Sequence, residues 1–148
     1  MKIVRNSILI QAEPALVWDA LTNPAQTQKY MFGCEVLTDW EVGSPMHWQA
    51  LYEGEEMVFV KGYILAIDPG VKLRYSVIDP NAEYPHTPEN HLNVTYELVD
   101  HGAHTELIVT QDGFETAFDG ERRFTEVQNN GDGWNPILEA IQKIVEEK

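Results

Sequence analysis

A chain of 148 residues with 43% hydrophobic and 23% charged side chains can bury a real core and reads as one globular domain spanning 1–148. Its 24 acidic against 10 basic residues leave a formal net charge of −14. Arg122-Arg123 is the only adjacent basic pair, which argues against nucleic acid and anionic membrane as partners. The single cysteine, Cys34, excludes an internal disulfide and reads as a small buried hydrophobe. No apolar run approaches the ~20 residues of a membrane span or resembles a secretory leader, so a cytoplasmic location is expected.

Residues 2–12, KIVRNSILIQA, alternate loosely and predict a strand. The period then changes. Pro14 suits the first turn of a short helix carrying Val17, Trp18 and Leu21 on one face. Asn23-Pro24 closes that helix and starts another, with Asn23 as N-cap, running to about Tyr30. From there to residue 112 the pattern is β. In MHWQALYEG, Met46, Trp48, Ala50 and Tyr52 share a face. MVFVKGYILAI is a long strand ended by the turn Asp68-Pro69-Gly70. VKLRYSVI sets Val71, Leu73, Tyr75 and Val77 against Lys72, Arg74 and Ser76. A proline-rich surface loop follows, DPNAEYPHTPEN. HLNVTYELV and HTELIVTQ then form a hairpin with Leu92, Val94, Tyr96 and Leu98 inward, opposite Leu107 and Val109. Short turns make the sheet antiparallel and strongly curved.

After residue 121 the period is helical again. Phe124, Val127, Gly131, Trp134, Leu138, Ile141 and Val145 recur at steps of 3 and 4, one apolar stripe with a hole at Gly131. A continuous helix over 122–147 would be ~39 Å long. Gly131 has three readings: glycine permits close approach of helix to strand, the helix is interrupted at 130–133 and begins afresh at Trp134, or glycine leaves room for a cavity between helix and sheet.

Several segments resemble the family named for the activator of the heat-shock-protein chaperone ATPase, within the START-like (SRPBCC) superfamily. They are AEPALVWDALTNP (12–24), DWEVGSPMHW (39–48), GYILAIDPGVKLRYS (62–76), VTYELVDHGAHTELIVTQDGF (94–114) and GWNPILEAI (133–141). Ser44 stands where the pattern usually has a second glycine after Gly43. Gln111-Asp112 stands where relatives often carry a histidine, which weakens imidazole chemistry there. The resemblance implies an α+β helix-grip fold: a curved antiparallel sheet wrapped around a long C-terminal helix, with two short helices after the first strand. It further implies a cavity between sheet and helix. The expected wall is Trp48, Tyr63, Tyr75, Tyr96, Leu107 and Val109, with Val127, Gly131 and Trp134 as roof and Tyr30, Met31 and Phe32 at the mouth.

The residues themselves carry no catalytic signature: no G-x-S-x-G elbow, P-loop, dinucleotide fingerprint, HExxH or paired cysteines. His101-x-x-His104 lacks helical context, so no metal and no cofactor is expected, and His86 belongs to the surface loop. His47 and His91 start strands and could reach a cavity rim, while Asn130 and Asp132 flank Gly131. Because one superfamily hosts carriers, receptors, cyclases and activators, fold does not fix function. The expected role is binding of a small, largely hydrophobic ligand in the cavity. The alternatives are a cyclase- or hydrolase-type enzyme using Tyr75, Tyr96, His91 or Asn130, and a chaperone-activator-like interaction module. A monomer or a homodimer is compatible with the sequence.

Overall fold

In the computed structural model, which describes residues 2–147, the alternating segments form seven strands and the 3.6-period segments form helices around them. The first strand is β1 (Val4–Ile10). Pro14 occupies the first turn of α1 (Pro14–Thr22), and α2 (Pro24–Tyr30) follows at once. Asn23 caps α2 as its spacing predicts, its side-chain oxygen accepting from the Ala25 N–H at 3.0 Å. The remaining strands are β2 (Glu35–Thr38), β3 (Pro45–Tyr52), β4 (Glu55–Asp68), β5 (Lys72–Val77), β6 (Leu92–Asp100) and β7 (Thr105–Asp112). All neighbours are antiparallel, in the order β1-β7-β6-β5-β4-β3-β2. The first strand therefore closes against the last, and the chain's middle meanders to the opposite edge.

Two register irregularities bend this sheet. Trp48 pairs with Val60 and Gln49 with Val58, so Phe59 is an extra residue in β4; a second break falls between Ile64 and Ala66. Bulges of this kind sharpen local twist and change which face a side chain takes.

The helical stripe after residue 121 is not one rod. It divides into α3 (Gly120–Gln128) and α4 (Asn135–Glu146), joined by a single tight turn over Asn129–Gly131. Asn129, Asn130, Gly131 and Gly133 all have positive φ, and Pro136 opens α4. The continuous helix over 122–147 is thus corrected, and the reading with a break at 130–133 holds. Leu138, Ile141 and Val145 still form the buried face of α4, which packs on β1, α1 and α2 and joins Leu21, Leu73, Tyr75, Tyr96, Leu107 and Val109 in the main core. A smaller cluster, Val4, Leu92, Phe114 and Ala117, lies under α3 and receives Phe124 and Val127.

The two glycines of the kink do different work. Gly131 is exposed, with φ of +96° and nothing within 4 Å of an added Cβ. Gly133, at φ +52°, sits against β1, where a Cβ would collide with the Asn6 side-chain oxygen and approach Val4 to 3.1 Å. That Asn6 oxygen accepts from the Trp134 N–H at 2.9 Å and so staples the kink to the sheet. Gly131→Ala should cost about 1–2 kcal/mol of backbone strain. Gly133→Ala should cost at least about 1 kcal/mol more through overpacking. Urea denaturation of both variants checks this; equal losses would contradict it.

Candidate functional site

Curvature and the kink together leave a pocket of about 450 Å³ between the sheet and the start of α4. Its floor is Trp48, Val60, Tyr75 and Val94 from β3 to β6. Trp134 and Ile137, one helical turn apart at the head of α4, form its roof. Met31, Phe32 and Cys34, just after α2, line it together with Phe59, and the 85% exposure of Phe32 places solvent at this edge.

Behind the floor lies a buried aromatic layer. Tyr75 and Tyr96 share a hydrogen bond between their hydroxyls at 2.7 Å, with rings edge to face at 5.4 Å. Trp48 tilts against Tyr75 at 6.0 Å, and Tyr96 meets Trp134 edge-on at 6.1 Å. Tyr30 donates its hydroxyl to the Ala20 carbonyl at 2.8 Å. Burial holds all three phenols above the ordinary tyrosine range; the nearby Tyr96 adds to this for Tyr75 and Tyr30, whereas for Tyr96 the hydrogen bond to Tyr75 opposes it. Burial also raises the Cys34 thiol, which keeps it protonated and apolar. One polar side chain reaches the wall: Gln111 of β7, only 6% exposed, whose Oε1 accepts from the Trp134 indole N–H at 2.9 Å.

Of the residues expected at the cavity, Trp48, Tyr75, Trp134, Met31 and Phe32 line the pocket. Tyr96, Leu107 and Val109 face inward but are sealed in the core behind it, and Tyr30 is buried there instead of standing at the mouth. Tyr63 is corrected: from Val60 to Tyr63 the register with β3 is unbroken, so Gly62 pairs with the buried Met46 and Tyr63 with the exposed Pro45, which puts Tyr63 on the outer face, half exposed beside His91. Val127 and Gly131 are corrected as roof residues, because the kink turns α3 onto the smaller cluster and leaves Gly131 at the surface. The void lies under Trp134 and Ile137, about one turn further along.

Neither histidine considered for the rim reaches the pocket. His47 is exposed, and His91 is buried with its Nδ1 donating to the Thr87 carbonyl at 2.8 Å. Among the described residues no group of three or more His, Cys, Asp or Glu side chains is arranged to hold a metal ion. A larger hollow of about 670 Å³ beside α3 is rimmed by charge, but its Arg122 is paired with Asp119 and Glu126, and Arg123 donates to the Asn90 and Phe118 carbonyls. The Arg123–Asn90 bond ties the proline-rich loop to α3.

Phe59, Val60, Cys34, Val77, Val94, Ile137 and Gln111 were not singled out by sequence reasoning as lining residues. Gln111 had a signal: it continues the inward alternation of Leu107 and Val109. Phe59 had none, since only the pairing with β3 reveals the bulge.

An antiparallel sheet gripping a C-terminal helix, with an apolar pocket between them, defines a START-like helix-grip domain. The chain belongs to the family described as Activator of Hsp90 ATPase homolog 1-like protein, whose pattern it matches over residues 11–146. Among solved structures it is similar to a protein of Cytophaga hutchinsonii determined in solution, with 34% identity and a TM-score of 0.74, covering 98% of this chain and 94% of the other. It also resembles an HSP90 activator from Plasmodium falciparum, at 14% identity and a TM-score of 0.68, over 99% and 97% of the two chains. A third similar structure is the Aha1 dimer from Colwellia psychrerythraea, at 17% identity and a TM-score of 0.67, over 99% and 97%. No curated protein matches the sequence significantly. Among the described residues no helix is long and apolar enough to cross a membrane.

Proposed function

We propose that this domain binds a small, largely apolar molecule in the pocket beneath Trp134 and Ile137. The observation that carries this reading is the pocket itself: about 450 Å³, walled by aromatic and aliphatic side chains with no charged group among its lining residues. Small-molecule sites span roughly 300–1,000 Å³ and combine such walls with a few fixed polar groups. The lining also favours holding over turnover, since its phenol is kept neutral by burial and no titratable base stands beside it.

Cys34 provides the test. As the sole cysteine and a wall residue, its reaction with a small apolar thiol reagent should slow when benzophenone fills the pocket, and intact-mass spectrometry should report one adduct appearing later. Benzophenone that binds without slowing Cys34 would place the ligand elsewhere.

A second reading, contact with a chaperone, is favoured by the β3–β4 hairpin, where Leu51 is 72% and Tyr52 54% exposed. Addition of the protein to a purified Hsp90-type chaperone should then raise ATP turnover, and the Leu51→Ser, Tyr52→Ser double variant should not. No stimulation by the native chain counts against this reading.

A further inference from the structure

The pocket has a polarity as well as a shape. Indole N–H is a donor only, so the oxygen of the Gln111 amide must face Trp134 Nε1, and its Nε2 is left for the other side. Among the described residues that Nε2 has no partner, although it is not sealed from solvent. The same holds for the indole N–H of Trp48, a 4%-exposed residue on the pocket floor. The Tyr75 hydroxyl, by contrast, is already engaged with Tyr96, and the Cys34 carbonyl accepts from the Thr27 hydroxyl at 3.1 Å. Among the described residues, the side-chain N–H groups at this wall that have no partner are thus two uncharged donors, Gln111 Nε2 and Trp48 Nε1.

We infer that the pocket selects a neutral apolar molecule bearing a hydrogen-bond acceptor, a ketone, aldehyde or ester carbonyl, which takes the Gln111 Nε2–H. This rests on the proposed binding role and assigns its ligand class. A carboxylate would enter with no cation to meet it, in a chain whose net charge is −14, and burying an unpaired charge is far costlier than burying a carbonyl. A pure hydrocarbon would leave the Gln111 donor facing apolar surface, unpaired.

Three probes separate these cases: benzophenone, the diphenylethylene in which a terminal methylene replaces the carbonyl oxygen, and diphenylacetate. Their water-to-pocket partition differs, so the quantity to read is the ketone-to-isostere affinity ratio in the native protein and in Gln111→Met. That ratio should fall about three- to tenfold in the variant. Diphenylacetate should bind the native protein at least about tenfold more weakly than benzophenone. Gln111→Met also strips the acceptor from Trp134, so the native chain supplies a second measurement. The Gln111 side-chain amide resonance should shift with benzophenone and stay in place with the isostere. An unchanged ratio, or an amide that responds equally to both probes, overturns the inference. If both neutral probes bind and protect Cys34 while the ratio is unchanged, only the polarity assignment falls. If none binds, the pocket reading falls with it.

Discussion

Gly62→Ala should unfold this protein or lower its stability by at least about 4 kcal/mol, a loss that single substitutions reach only through a specific steric or polar failure. Gly62 is buried in β4 opposite Met46, where β4 also runs against β5. The backbone carbonyl of Ser76 occupies the place a Cβ would take, and that contact is to main chain, which cannot rotate away. Relief would require β4 and β5 to part. Their parting would break the bond from the Tyr63 N–H to the Ser76 hydroxyl at 3.0 Å and the paired Lys61–Ile78 backbone bonds at 2.8 and 3.1 Å. The sheet would open at the strands that form the pocket floor. Circular dichroism with urea titration measures the loss, and a variant within about 1 kcal/mol of the native protein would show that β4 and β5 are not held this closely.

Alkali should unfold the protein through its buried phenols. Tyr30, Tyr75 and Tyr96 are held above the ordinary value of 10.0, chiefly by burial. In the unfolded chain these groups ionise near pH 10, in the folded chain only at higher pH. Their stabilising contribution is therefore complete below about pH 10 and is lost as pH rises towards the folded values. Each contributes up to about 1.4 kcal/mol per pH unit in that window, or about 4 kcal/mol for three, against a typical total of about 5–15 kcal/mol. Phenolate absorbance should show a cooperative step coincident with loss of near-ultraviolet circular dichroism. Ionisation of all six tyrosines while the aromatic dichroism stays intact would contradict the buried layer.

Much of the architecture was readable because period and punctuation are local. Pro14 and Asn23 mark the helix starts by their own backbone chemistry, and alternation assigns Tyr75, Tyr96, Leu107 and Val109 to the inner face correctly. Reading failed where one strand's geometry depends on another's. The extra residue Phe59 exists only relative to Trp48, and the outward face of Tyr63 is fixed by its pairing with Pro45. The stripe from Phe124 to Val145 keeps its 3–4 spacing across the break, so periodicity conceals a kink made by four left-handed residues. The pocket consequently shifted from Gly131 to Trp134 and Ile137. Gln111 could be assigned a face, but not a chemistry: its amide orientation is set by Trp134, 23 positions away.

The measurement that bears most directly on the account is a set of intermolecular nuclear Overhauser contacts from bound benzophenone. They should run to the Val60, Val77 and Val94 methyls and to the indole protons of Trp48 and Trp134, which surround one space only in this fold. Contacts confined to Tyr84 and Phe118 beside α3, or to Leu51 and Tyr52 on the hairpin, would mean that the space under the C-terminal helix is not where this protein takes its ligand.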